Sequence, residues 1–148
     1  MQALGKDLRE LLALLDKHGV RYLIVGGFAV AVHGVPRYTK DLDIWVEASS
    51  ENADRLVRVI GDFGFESLGL TAKDFATPDL VIQLGYEPNR IDILTGLTGV
   101  VFADAYPNRV TGTVDGLELP IIDRASLVAN KRALGRPQDL ADAEELDR

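Results

Sequence analysis

Residues 22–46 read YLIVGGFAVAVHGVPRYTKDLDIWV. An apolar run over 22–25 meets the pair Gly26-Gly27, and thirteen residues separate that pair from Asp41-Leu42-Asp43. The run predicts a strand over 21–25, the next residues a short helix over 28–33 closed by Gly34 and Pro36, and residues 41–47 a second strand. In a strand, side chains at i and i+2 leave the same face. Asp41 and Asp43 therefore point together, and Leu42, Ile44 and Val46 turn the other way into a core. Two like charges side by side on a rigid strand repel each other. A hard divalent cation with oxygen ligands, Mg²⁺ before Mn²⁺, relieves that repulsion and keeps positions open for phosphate oxygens.

The glycine pair supplies the second half of the pattern. Glycine adopts backbone angles closed to other residues and lets a phosphate come close to the main chain. Placed between a strand and a helix, Gly26 and Gly27 bring free N–H groups and the positive end of the helix dipole to one space. A glycine pair alone marks a turn, and an Asp-x-Asp alone marks a solvated strand end. Strand, glycine pair, helix and carboxylate strand in that order are much harder to dismiss than either alone.

Outward from this stretch the elements alternate. Leu4, Leu8, Leu11, Leu12 and Leu15 fall at helical spacing and Gly19 ends that helix. Ser49 or Ser50 caps a helix whose Ala53, Leu56, Val57, Ile60 and Phe63 line one face. Residues 65–77 are poorly patterned and read as a short strand with an exposed loop. Residues 80–84 and 90–94 read as paired strands, and residues 110–114 and 117–121 as a hairpin around Asp115-Gly116. Asp123 caps a helix reaching Leu134, Gly135 stops it, and Pro137 opens the last helix. The fold class is α/β (α+β): a mixed β-sheet flanked by helices. One domain is expected over 1–148, with a catalytic core over about 20–122 and C-terminal helices over 123–148.

Asp92 sits in an apolar strand, Ile91-Asp92-Ile93-Leu94, where burial and strand propensity disfavour an aspartate. It is either an edge-strand residue facing water or a third acid of the site. Arg37 and Thr39 extend the alternation back from Asp41, so an extended 37–43 puts all four on one face. A guanidinium there grips phosphate or neutralises the carboxylates, unless Arg37 is a plain surface residue. Lys40 points to the other side. His33, near a helix end, reads as a capping or packing residue rather than a base, and His18 suits a helix C-terminus. Trp45 lies on the face of Asp43 and reads as a partly buried structural residue rather than one that stacks on a base or an acceptor. Phe63, Phe65 and Phe75 read as core or loop anchors.

Composition excludes several classes. The chain of 148 residues is 47% apolar, holds no cysteine and carries a net charge of −7. No run approaches a membrane span and no charged-then-apolar leader opens the chain, so a cytoplasmic location is expected. Disulfides and thiolate metal sites are ruled out. The acidic balance argues against broad nucleic-acid binding, which depends on neutralising phosphates.

The residues resemble the DNA polymerase β-like nucleotidyltransferase superfamily, and within it the small stand-alone prokaryotic members of antibiotic-nucleotidyltransferase and toxin–antitoxin type. The resemblance rests on Gly26, Gly27, Ala29, His33, Gly34, Arg37, Thr39, Asp41 and Asp43. It continues through Arg90-Ile91-Asp92-Ile93-Leu94 and through residues 130–140, NKRALGRPQDL. It implies the polymerase β-like fold and a Mg²⁺-dependent transfer of a nucleoside monophosphate from an NTP, ATP first, to a hydroxyl acceptor, with release of pyrophosphate. Asp41, Asp43 and Asp92 are then the catalytic and metal-holding acids. Gly26, Gly27, Arg37, Thr39 and Lys131 are then the nucleotide-binding residues. The Arg136-Pro137-Gln138-Asp139 corner matches a recurring segment, and Asp139 alone reads as a dipole-complementing acid. The acceptor is open among small molecules, protein side chains and tRNA ends. Any acceptor site draws on the last two helices, the 65–78 loop, a second subunit or a partner protein. Two other classes stand beside this one: a non-catalytic nucleotide- or partner-binding module of a toxin–antitoxin system, and a metal-dependent phosphohydrolase on the same carboxylates.

Overall fold

A computed structural model of the chain describes residues 5–37, 41–85 and 90–148. Its centre is a six-stranded sheet in the order β3-β4-β2-β1-β6-β5. The strands are β1 (Tyr22–Val25), β2 (Leu42–Val46), β3 (Val81–Leu84), β4 (Ile91–Leu94), β5 (Val110–Val114) and β6 (Leu117–Ile121). β1 runs antiparallel to β2 and parallel to β6, while β2 runs parallel to β4. The mixed sheet expected from the sequence is therefore present.

Centrality explains composition. β1 is buried at all four positions, and in β2 only Asp43 escapes full burial. Strands covered on both faces read as continuous apolar runs instead of alternating ones. The exception in β2 is thus a carboxylate held in the middle of a sheet. At the far edge, β5 and β6 close through Asp115 and Gly116, with φ of 53° and 80°. Positive φ at both turn residues matches the right-handed twist of the hairpin.

Helices α1 (Lys6–Lys17), α3 (Ser50–Asp62) and α4 (Ala72–Ala76) pack together, and α6 (Arg124–Leu134) packs on α7 (Pro137–Leu146). Their phases follow the leucine and valine spacing. Leu8, Leu11, Leu12 and Leu15 bury one stripe of α1, while Ala53, Leu56, Val59 and Ile60 bury one stripe of α3. Val59, not Val57, completes the α3 stripe. The Ser49 hydroxyl caps α3 by accepting from the Asn52 amide at 3.2 Å. Asn52 is itself buried; its side chain accepts from Arg21 N at 2.8 Å and donates to the carbonyls of Arg21 at 3.0 Å and Glu47 at 2.9 Å. It ties the start of β1 to the end of β2.

Two segments depart from expectation. Residues 65–77 hold no strand. They form a 3₁₀ turn at Glu66–Leu68 and the five-residue α4, anchored by Phe75, which is fully buried. One turn of helix with one buried residue shows no periodicity, although Thr71 N donates to the Asp74 carboxylate at 2.7 Å as a capping residue pair should. Helix α5 (Phe102–Ala105) and a 3₁₀ turn at Tyr106–Asn108 follow β4. Phe102 there meets the buried Trp45 edge-to-face at 5.1 Å, which confirms Trp45 as a core residue. Such a pair adds about 0.5–1.5 kcal/mol beyond area burial.

Helix α2 (Gly26–Val32) starts at the glycine pair itself, two residues before the expected start, and His33 caps its end. The His33 ring hydrogen-bonds the Ile122 carbonyl at 2.7 Å, so it packs. His18 meets Asp62 at 2.8 Å beside the C-terminus of α1. Among the described residues no helix is long and apolar enough to cross a membrane.

Candidate active site

The site lies where β1 gives way to α2. Val25, the last residue of β1, is the register partner of Asp43. The chain then turns at Gly26 with φ of 69°, a left-handed angle that costs glycine little. A Cβ built on Gly26 would strike Asp43 Oδ2 and stand 3.0 Å from its Cγ. Gly26 is therefore required twice, by its backbone angle and by the carboxylate lying across it. The sequence reading assigned this opening to phosphate; its first occupant is the Asp43 side chain.

Asp92 on β4 is the register partner of Asp43 on β2, in a parallel pair. Neighbouring strands stand about 4.8 Å apart and partnered residues share a face, so the two carboxylates are side by side. Asp92 is 9% exposed. Asp41 precedes β2 and adds its field to the same point. The Asp43 carboxyl is pushed up to about 6, by burial first, then by Asp92 and Asp41, with Arg90 and Lys131 pulling it back. A carboxylate already strained in its charged form gains the most from a cation.

Arg90 is the residue sequence reasoning passed over. Its guanidinium forks onto Asp92, Nε to Oδ1 at 3.1 Å and Nη2 to Oδ2 at 3.0 Å. The signal was available: Arg90 and Asp92 stand at spacing two entering a strand, the same rule that pairs Asp41 with Asp43. Among the described residues no three His, Asp or Glu side chains are gathered tightly enough to hold a cation as they stand. Even so the donors fit one. Asp43 and Asp92 present adjacent hard oxygens, Gly26 lets the Asp43 carboxylate lie against the turn, and Arg90 holds the positive charge the acids need.

Beside the acids opens a cavity of about 440 Å³ lined by Gly26, Gly27, Asp43, Lys131, Arg136 and Asp79, among others. Lys131 on α6 is 7% exposed, and its ammonium stands 3.7 Å from Asp139 Oδ1 and 3.6 Å from Asp142 Oδ2 on α7. Arg37 donates both terminal nitrogens to Asp142, at 2.9 Å for Nη1 to Oδ2. It faces α7 and lines a hollow of about 300 Å³ next to the main cavity, together with Lys131 and Arg136. Thr39 and Lys40 lie outside the described residues. Asp139 does more than complement a helix dipole: it is 3% exposed and receives a fork from Arg136.

Asp79 was also missed. It is not glycine yet has φ of 60°, in the turn Thr77-Pro78-Asp79-Leu80 that enters β3. A Cβ on Gly96 would strike its carboxylate and stand 3.0 Å from its Cα. An acid where a turn ordinarily takes glycine or asparagine, facing a glycine that clears room for it, puts a negative charge at the cavity wall. Among the described residues it has no hydrogen-bond or ion-pair partner. Leu80, Val81, Leu94 and Leu97 line the same wall. The cavity lining thus combines two cations, Lys131 and Arg136, with two acids, Asp43 and Asp79, and a set of leucines and valines.

Solved structures share the fold. The lincosamide antibiotic adenylyltransferase LnuA, in its lincomycin-bound crystal structure, matches with a TM-score of 0.57 at 16% identity, over 99% of this chain and 98% of that one. The Thermotoga maritima protein TM1012 matches with a TM-score of 0.56 at 17% identity, over 95% of this chain and 88% of that one. The antibiotic-resistance factor ANT(2'')-Ia matches with a TM-score of 0.55 at 15% identity, over 95% of this chain and 80% of that one. At such identities the likeness is one of fold. No curated protein matches the chain by sequence. The family described as aminoglycoside-2''-adenylyltransferase matches residues 7–96, a span that holds β1, the glycine pair, all three carboxylates and Asp79. On that match the chain belongs to the aminoglycoside-2''-adenylyltransferase family, among the polymerase β-like nucleotidyltransferases.

Proposed function

We propose that the chain transfers the adenylyl group of ATP to a hydroxyl of a small acceptor and releases pyrophosphate. The observation that carries this reading is the register pairing of Asp43 with Asp92 beside a glycine that cannot bear a side chain. Related proteins support the direction of transfer: one solved structure of ANT(2'')-Ia holds adenylyl-2''-tobramycin, and LnuA holds lincomycin.

In this reading Asp41, Asp43 and Asp92 hold Mg²⁺ or Mn²⁺, which supplies charge neutralisation for the entering and leaving oxygens. The remaining work falls to the chain's own residues. Lys131 and the backbone at Gly26 and Gly27 bind the triphosphate within the cavity. The acceptor lies along the wall formed by Leu80 and Leu97, with a polar or charged group toward Asp79. Its hydroxyl then faces the α-phosphorus, the new O–P bond forms as the bond to the bridging oxygen breaks, and pyrophosphate departs. Asp92 takes the hydroxyl proton, and Arg90 steadies its carboxylate until then. Positioning and charge supply most of the acceleration, because phosphoryl transfer asks little covalent help from side chains.

Incubation with α-³²P-ATP, Mg²⁺ and a panel of aminoglycosides and lincosamides tests the reading. Label transferred to an acceptor supports it. Label recovered as free AMP makes the protein a phosphohydrolase, and ATP recovered intact with every acceptor makes it a binding module.

A further inference from the structure

Lys131, Asp139 and Asp142 form a buried cluster with a defined division of labour. All three are under a tenth exposed, and a buried lysine needs compensation to stay charged. Two carboxylates stand near its ammonium, yet at 3.6 Å and 3.7 Å they lie beyond hydrogen-bond reach. Each is already occupied by an arginine. Arg37 forks onto Asp142 and Arg136 forks onto Asp139, with short charge-assisted bonds. Each arginine engages both oxygens of its carboxylate, and Lys131 feels the field of the two acids without donating a hydrogen bond to either. Counting Arg37, Lys131 and Arg136 against Asp139 and Asp142 leaves one positive charge in excess. Both arginines are paired with a carboxylate, so the excess falls on Lys131, which lines the cavity beside Gly26 and Gly27 as Arg136 also does.

We propose that Asp142 is a positioning residue for Lys131. It holds the ammonium toward the cavity with its donors free, and through Arg37 it pins the chain just ahead of the carboxylate strand to α7. Asp139, locked by Arg136, flanks the ammonium from the other side. The 130–140 segment thereby gains a role: Lys131 carries the charge, while Arg136 and Asp139 help to hold it in place. This inference rests on the reading of Lys131 as a phosphate-binding residue.

The variant Asp142→Asn keeps the shape and removes the charge. If Asp142 were only a nearby negative charge, its loss would tighten phosphate binding, because repulsion would fall. The positioning role predicts the reverse. Isothermal titration with sodium tripolyphosphate, and with an ATP analogue carrying a methylene between the α- and β-phosphorus, should show affinity falling about tenfold in Asp142→Asn. In Lys131→Met the same substitution should cost nothing further, and in steady-state assays KM for ATP should rise while KM for the acceptor holds. Arg37→Gln repeats the test from the other side and serves if Asp142→Asn fails to fold. Freed of its arginine, Asp142 should capture the Lys131 ammonium and weaken binding, again only where Lys131 is present. Unchanged or tighter binding in Asp142→Asn, or losses that simply add to those of Lys131→Met, would overturn the inference alone. A wild-type protein that binds neither probe would overturn the phosphate reading and the inference with it.

Discussion

The Asp43 carboxylate lies over Gly26 so closely that a single methyl group on the glycine would strike Asp43 Oδ2. The two segments that first drew attention in the sequence, the glycine pair and the Asp-x-Asp, are therefore one packed unit. A side chain added at Gly26 must displace the Asp43 carboxylate.

Gly26→Ala should consequently act as an active-site variant as well as a strained one. Its φ of 69° costs a non-glycine residue roughly 1–2 kcal/mol. The displaced Asp43 carboxylate should cost about a hundredfold in turnover, the scale of a misplacement near 1 Å. Melting curves and labelled-ATP turnover measured together check this. A variant with lowered melting temperature and unchanged turnover per folded molecule would contradict it.

Asp43 should also mark the pH dependence of stability. Its folded-state value of about 6 lies above the ordinary 3.8, so the folded state holds this proton more tightly than the unfolded chain. Stability from this group therefore falls as pH rises from about 4 to 6, and the full penalty stands above 6. Without divalent cation, Asp43→Asn should be more stable than wild type at pH 7.5, by on the order of 1–3 kcal/mol. The gap should close toward pH 4. Mg²⁺ should raise the melting temperature of wild type and leave that of Asp43→Asn unmoved. Parallel thermal scans across pH, with and without MgCl₂, read both effects.

Asp79 should govern the acceptor and not the nucleotide. Asp79→Asn should raise acceptor KM about tenfold, the cost of one charged contact, with KM for ATP unchanged. Gly96→Ala should have the same effect by pushing the carboxylate aside. An equal rise in both KM values would place Asp79 outside the acceptor wall.

Asn52 supplies a contrast far from the acids. Its three hydrogen bonds to Arg21 and Glu47 hold the ends of β1 and β2 against α3. Asn52→Ala should leave buried backbone groups unpaired and cost roughly 2–4 kcal/mol, with turnover per folded molecule preserved. Denaturant unfolding gives the first quantity and active-site titration the second.

Where a structural rule acts within a few residues, the chain could be read directly. The period-two rule placed Leu42, Ile44 and Val46 together in the core; capping rules placed Ser49, Asp123, Gly135 and Pro137. The paired strands over 80–84 and 90–94 and the Asp115-Gly116 hairpin also followed from local pattern. What escaped depends on contacts across the fold. The fork of Arg37 onto Asp142 joins residues 105 positions apart, and nothing near Arg37 announces it. Asp79 and Gly96 meet only because β3 and β4 pair. Helix α4 is too short for periodicity, so its lone anchor, Phe75, read as either core or loop.

The most direct test of the central claim is pyrophosphate release by Asp92→Asn alongside wild type, at saturating MgATP and with an acceptor that wild type adenylylates. Asparagine keeps the shape of the side chain and can still accept from Arg90, so the sheet should hold and the circular dichroism spectrum should match wild type. The account predicts that pyrophosphate release falls by at least about a thousandfold, the scale of a lost catalytic group. Release within about threefold of wild type, from a folded variant, would contradict the claim that the paired acids of β2 and β4 carry the chemistry.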